Sequence, residues 1–143
     1  MAQIERMKKV ALCLLGAVLL AGCATPEQIR ARKAKFYEFQ GSKPVCSSEE
    51  TCKRAWSAAQ VWVAQNCGLK IQLATDTIIE TYGSRRESSA LQCRVLKEPM
   101  PRATPGYYII SFDAGCGGYA GCSVDPLDAG INFNQYVSAA AGT

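Results

Sequence analysis

Six cysteines between positions 46 and 122 constrain the fold of this chain more than any other feature: Cys46, Cys52, Cys67, Cys93, Cys116 and Cys122. Their meaning depends on the redox compartment, and the N-terminal segment points to one. Arg6, Lys8 and Lys9 form a basic start. Val10 to Leu20 is an apolar run broken only by Gly16, and Ala21-Gly22 closes it with small residues. That is the layout of a secretory signal. The apolar run falls well short of the roughly 20 residues that a membrane-spanning helix needs. Met7 is an alternative start; Met7-Lys8-Lys9 directly before the apolar run gives a more compact signal. An even set of cysteines in an exported chain reads as three disulfides. A zinc site is the competing interpretation, but it usually shows CxxC spacing, and neither close pair here has it.

The clearest helix lies among these cysteines and decides which of them can pair. Ser47 and Glu50 match a capping box, and Glu49 and Glu50 suit the positive end of a helix dipole. Cys52, Ala55, Trp56, Ala59, Trp62, Val63 and Asn66 recur at spacings of three and four, one amphipathic stripe over about 48–66. Gly68 suits its C-terminal stop. Two tryptophans on the stripe could form a ligand platform, but a core-facing stripe is the commoner outcome. Cys52 and Cys67 then lie at opposite ends of one helix. At about 1.5 Å per residue they stand roughly 22 Å apart, whereas a disulfide needs about 4.4–6.8 Å between Cα atoms. That pair is excluded. Cys46 and Cys52 flank the helix start and can bond locally. Cys116 and Cys122 can close their own glycine-rich loop. Cys67 is left for Cys93, a bond that ties helix to strand.

Three strand-like runs follow the helix. Lys70 to about Tyr82 is apolar and β-branched, with a slip at Thr75-Asp76-Thr77 that suggests a bulge or a break. Leu91 to Lys97 puts Leu91, Cys93 and Val95 on one face. Tyr107 to Asp113 does the same for Tyr108, Ile110 and Phe112. Turn segments at 83–88 and 99–106 imply antiparallel neighbours. Asp125-Pro126 reads as a helix cap with a first-turn proline. Ala129, Phe133, Tyr136 and Val137 form a stripe behind it, and 138–143 looks frayed. The expected fold is α+β: an N-terminal amphipathic helix on a three-stranded or slightly larger antiparallel sheet, a short C-terminal helix, and disulfides. The expected organisation is a signal at 1–22, a basic tether at 23–45 and one small domain at 46–143. In the tether, Thr25-Pro26-Glu27-Gln28 is a plausible helix start. A partly ordered helix could run from there to about Phe39. Phe36, Tyr37 and Phe39 could dock on the body or meet a bilayer interface.

Leu20-Ala21-Gly22-Cys23 resembles the lipobox of bacterial lipoproteins. A leucine three before the cysteine, two small residues and the preceding basic and apolar segments all match. The resemblance implies cleavage before Cys23, a diacylglyceryl thioether on its sulfur and an acyl chain, such as palmitate, on its new amino group. Two or more chains hold a protein stably on a membrane. Ala24 and Thr25 follow, not the aspartate that tends to retain such proteins in the inner membrane of Gram-negative bacteria. The resemblance therefore implies the outer membrane, at its periplasmic face.

Charge and composition bound the function. Residues 24–45 carry Arg30, Arg32, Lys33, Lys35 and Lys43 against Glu27 and Glu38, while 46–143 holds eight basic and nine acidic side chains. The positive excess sits in the leader and tether, so nucleic-acid binding by the body has no support. Beside a lipid anchor, basic residues suit acidic headgroups; a solvated face explains them equally well. Histidine is absent, which removes Ser-His-Asp catalysis and His-containing zinc sites. No catalytic set, metal site or cofactor motif is evident. A hydrolase built on carboxylates such as Asp76, Glu80 and Asp113 is a third reading, and solvated sheet-face charges explain them better. The missing CxxC argues against redox catalysis. The expected function is a lipid-anchored binding or assembly module with an envelope protein as partner. Its candidate surface is the loop Gly117, Gly118, Tyr119 and Gly121. The alternative is inhibition of a host or competitor hydrolase such as lysozyme. The small lipoproteins that inhibit lysozyme are β-barrels, and the helix over 48–66 departs from them. In size and layout the chain is also similar to the pilotins, which chaperone secretins.

Overall fold

A computed structural model of the chain describes residues 24–100 and 105–142. Two compact units divide it, Met1–Lys33 and Ala34–Thr143. Cys23 lies outside the described residues. Among the described residues, no helix is long and apolar enough to cross a membrane.

Helix α1, Pro26–Gly41, starts at a reciprocal cap. The Thr25 N–H donates to Gln28 Oε1 at 2.9 Å, and the Gln28 N–H donates to Thr25 Oγ1 at 3.2 Å. In the second unit its C-terminal end is fixed. Lys35 Nζ donates to Asp128 Oδ1 at 2.6 Å. The Asn134 amide donates to the Phe39 carbonyl at 2.9 Å and to Ser42 Oγ at 3.1 Å. The Phe39 ring packs against the core. The compact unit therefore begins well before Cys46, and residues 34–45 belong to the fold rather than to a tether.

Strand β1 (Val45–Cys46) leads into helix α2 (Glu49–Asn66). The cap of α2 is Ser48, one residue later than the sequence suggests. The Thr51 N–H donates to Ser48 Oγ, and the Ser48 N–H donates to Thr51 Oγ1. Threonine closes the box from the third helical position, which frees Glu50 to pair with Arg54 one turn on, at 2.6 Å. Cys52, Ala55, Trp56, Ala59, Trp62 and Val63 are buried, and Asn66 is exposed. Gly68 is required for a close approach, since a Cβ there would sit 3.0 Å from Ala90 Cβ and from the Leu91 nitrogen.

The sheet has five antiparallel strands, not three: β1, β2 (Ile71–Ala74), β3 (Ile78–Thr81), β4 (Gln92–Pro99) and β5 (Tyr108–Gly115), in the order β1-β5-β4-β3-β2. Two differences account for the change. The run from Lys70 to Tyr82 is a hairpin, β2 (Ile71–Ala74) and β3 (Ile78–Thr81). The slip at Thr75-Asp76-Thr77 is its turn, held by Thr75 Oγ1, which accepts from the Thr77 and Ile78 N–H groups. The second difference is β1. It pairs with the start of β5 and adds a bond from the Ile110 N–H to the Pro44 carbonyl. Strands β4 (Gln92–Pro99) and β5 (Tyr108–Gly115) form the centre, each two residues longer at its C-terminal end than expected.

Helix α3, Pro126–Ala141, is a full helix rather than a short one. Asp125 caps it through the Leu127 N–H, and Pro126 opens it. It extends through the stretch expected to fray, because Ala141 is buried and Gly142 closes the end in a left-handed turn at φ 82°. Its packing also differs from expectation. Tyr136 is 46% exposed, and Asn134 is fully buried in its place against α1. Gly130 makes room for Phe39, since a Cβ there would lie 2.5 Å from that ring. The layout is thus α+β with both α2 and α3 on one sheet face. Helix α2 packs chiefly on α3, and α3 covers β5. Trp62, Phe112 and Phe133 join the two helices to the sheet. Trp62 meets both phenylalanines edge-on at 5.3 Å, and the two phenylalanines stack at 4.6 Å.

Three disulfides are present, Cys46–Cys52, Cys67–Cys93 and Cys116–Cys122. They are the pairs that helix length and strand facing leave open.

Candidate functional site

The glycine-rich loop after β5 is built for rigidity. The Cys116–Cys122 bond closes it. The Gly117 N–H donates to Ser84 Oγ at 3.0 Å, and a Cβ on Gly117 would stand 2.2 Å from the Arg85 carbonyl oxygen. A Cβ on Gly118 would lie 3.1 Å from the Ser88 carbonyl oxygen. These two glycines let backbone pack on backbone, so they support the surface rather than offer contact atoms. Gly121 adopts φ 96°, a left-handed conformation open to glycine. The Ser123 N–H and hydroxyl both donate to the Ser89 carbonyl. Two loops, 84–90 and 116–123, thereby form one platform. Tyr119 stands on it 87% exposed, with Arg85 and Arg86 exposed on the supporting loop.

A second feature was not singled out from the sequence. A groove of about 580 Å³ runs between the first turns of α2 and one end of the sheet. Glu49, Cys52, Lys53, Trp56 and Ser57 line it from α2, at spacings that share one helix face. Asp76, Lys97, Gly106 and Tyr108 form the other wall. Lys97 continues the inward-facing series of Cys93 and Val95, so its side chain lies on the helix side of the sheet. Its ammonium sits 5.2 Å from the Trp56 ring centroid and 5.8 Å from that of Tyr108. The Trp56 indole donates to the Thr75 carbonyl at 2.9 Å, joining helix wall to hairpin wall. The signal that could have revealed this site is a lysine on the buried parity of a strand, two residues after Val95.

The carboxylates separate. Asp76 lies in the β2–β3 turn and faces the groove, while Glu80 and Asp113 lie across the open sheet face, on either side of Arg94. Glu80, Arg94, Asp113, Gln72 and Gln92 line a polar hollow of about 330 Å³ there. The structure therefore does not bring Asp76 and Glu80 into one site, because Asp76 lines the groove and Glu80 the hollow on the open sheet face. The tryptophans are core residues. Trp62 is buried and donates to Asn132 Oδ1 at 2.8 Å, and Trp56 offers the groove only a small part of its surface. Among the described residues, no group of three or more histidine, cysteine, aspartate or glutamate side chains could hold a metal ion.

No family model matches the chain, and neither a curated protein nor a solved structure matches it significantly.

Proposed function

We propose that the chain is a bacterial lipoprotein, held through acylated Cys23 at the periplasmic face of the outer membrane. Its α+β unit acts there as a binding or assembly module for an envelope protein. The anchor rests on the lipobox resemblance at Leu20-Ala21-Gly22-Cys23. The module rests on one observation, the exposed Tyr119 on a loop locked by a disulfide and by glycine-to-backbone packing. A loop fixed before binding loses little conformational freedom on association. Tyrosine supplies large contact area at low entropic cost. Arg85 and Arg86 add the other residue type enriched at interface cores.

A photo-crosslinking residue in place of Tyr119, introduced in cells, tests this reading. The expected product joins the lipoprotein to a defined envelope protein and is lost in Cys23→Ser. Recovery of the lipoprotein-processing machinery alone counts against a module.

The same loop favours one second reading, inhibition of a hydrolase, because a rigid protruding tip fits a substrate cleft. A lysozyme lytic assay with and without the purified chain separates the two. Inhibition that Tyr119→Ala abolishes supports the inhibitor, and unchanged lysis removes lysozyme as the target.

A further inference from the structure

We propose that the groove beside α2 binds short peptides that carry both a free carboxylate and an ammonium group. This site is separate from the Tyr119 platform and does not depend on the lipid anchor.

The groove carries charge of both signs on an aromatic floor. Lys97 and Lys53 supply two cations, Asp76 and Glu49 two carboxylates, and Trp56 and Tyr108 the rings. Among the described residues, ion pairs join Lys35 to Asp128 and Arg54 to Glu50, and none joins the four groove charges to one another. The Lys97 ammonium is positioned by the rings of Trp56 and Tyr108 rather than by an acid. A positioned cation of this kind binds an anion with less ordering cost than a free lysine.

Each simpler ligand leaves part of the groove unmatched. A plain anion meets Asp76 and Glu49, and a plain cation meets Lys97 and Lys53. An uncharged apolar molecule would take water from the half-buried Lys97 ammonium and return nothing to it. A molecule with both charges on an apolar body matches the whole lining. The volume, about 580 Å³, falls within the range of about 300–1,000 Å³ typical of small-ligand sites. The walls are preformed. Cys52 is bonded to Cys46, and the Trp56 indole holds the β2–β3 turn.

The chain has two tryptophans, so its ¹⁵N–¹H spectrum has two indole signals; both belong to the core, and Trp56 but not Trp62 also lines the groove. The full chain is titrated with the free dipeptide Leu-Leu, with its N-acetylated amide, and with phosphocholine. The expected result is a saturable shift of the Trp56 signal with Leu-Leu and a fixed Trp62 signal. Binding should be at least tenfold weaker for the capped dipeptide and for phosphocholine. Lys97→Met should also weaken Leu-Leu binding at least tenfold, and Lys97→Arg should restore most of it. An unmoved Trp62 signal in each variant reports an intact core. Equal binding of the capped dipeptide would overturn the proposal in favour of an apolar groove. Tighter binding of phosphocholine would overturn it in favour of a lipid headgroup. No shift at about 10 mM Leu-Leu would overturn it outright.

Discussion

Thr81 stands where one more backbone bond would extend the β3–β4 ladder. Its hydroxyl accepts from the Cys93 N–H at 2.9 Å, in a buried setting. The side chain therefore satisfies a strand donor that the strands, parting here, no longer satisfy. Thr81→Val keeps the shape and removes the acceptor. A buried unpaired N–H costs about 1–3 kcal/mol, so the variant should lower the denaturant midpoint with an unchanged slope. Gly117 is similarly exacting. Gly117→Ala places a methyl carbon 2.2 Å from a backbone oxygen, and the platform must open to admit it. The expected cost is about 1–3 kcal/mol, with faster amide exchange confined to 84–90 and 116–123. Uniform exchange across those loops and the core would count against a locally built platform. Neither role was legible in the sequence, although Gly117 stood in the candidate loop. A threonine in a β-branched run looks like an ordinary strand residue. A glycine between cysteines looks like turn chemistry until the opposing backbone is seen.

The elements were legible to different degrees, for physical reasons. Helix α2 was readable because its cap, its stripe and its stop agree. Strands β4 and β5 were readable because Leu91, Cys93, Val95, Ile110 and Phe112 alternate and are all buried. The β2–β3 hairpin was not, because its turn, Thr75-Asp76-Thr77, uses a threonine hydroxyl in place of glycine or proline. Strand β1 was hidden by its length of two residues. Helix α3 was underestimated because Gly130 and Asn134, poor helix formers, are the residues that seat α1. The disulfides divide along the same lines. Cys67–Cys93 spans 26 residues and ties α2 to β4, while Cys116–Cys122 spans six. On the chain-entropy account the longer loop contributes about 3.5 kcal/mol and the shorter about 2. Replacing both cysteines of Cys67–Cys93 with alanine should lower the melting temperature more than the same change at Cys116–Cys122. Equal losses would contradict the role of the first bond in joining helix to sheet.

For the whole molecule, charge is unevenly distributed along the chain. Residues 24–45 carry five basic and two acidic side chains, and 46–143 is close to neutral, with eight basic and nine acidic. Under the proposed anchor at Cys23, basic charge beside it would favour an anionic membrane surface, and a near-neutral body leaves recognition to shape. Tyr119 and the groove at Trp56, Lys97 and Tyr108 are separate surfaces for it. The groove was invisible in the sequence because α2, a hairpin turn and the ends of β4 and β5 build it together. The proposed lipid site stands the other way round, resting on a sequence resemblance and lying outside the described residues. Intact-mass analysis of the chain purified from bacterial membranes tests the central proposal most directly. The account predicts a polypeptide beginning at Cys23, carrying a diacylglyceryl group and a third acyl chain, with the three disulfides intact. A chain that begins elsewhere, or one with an unmodified Cys23, would contradict it.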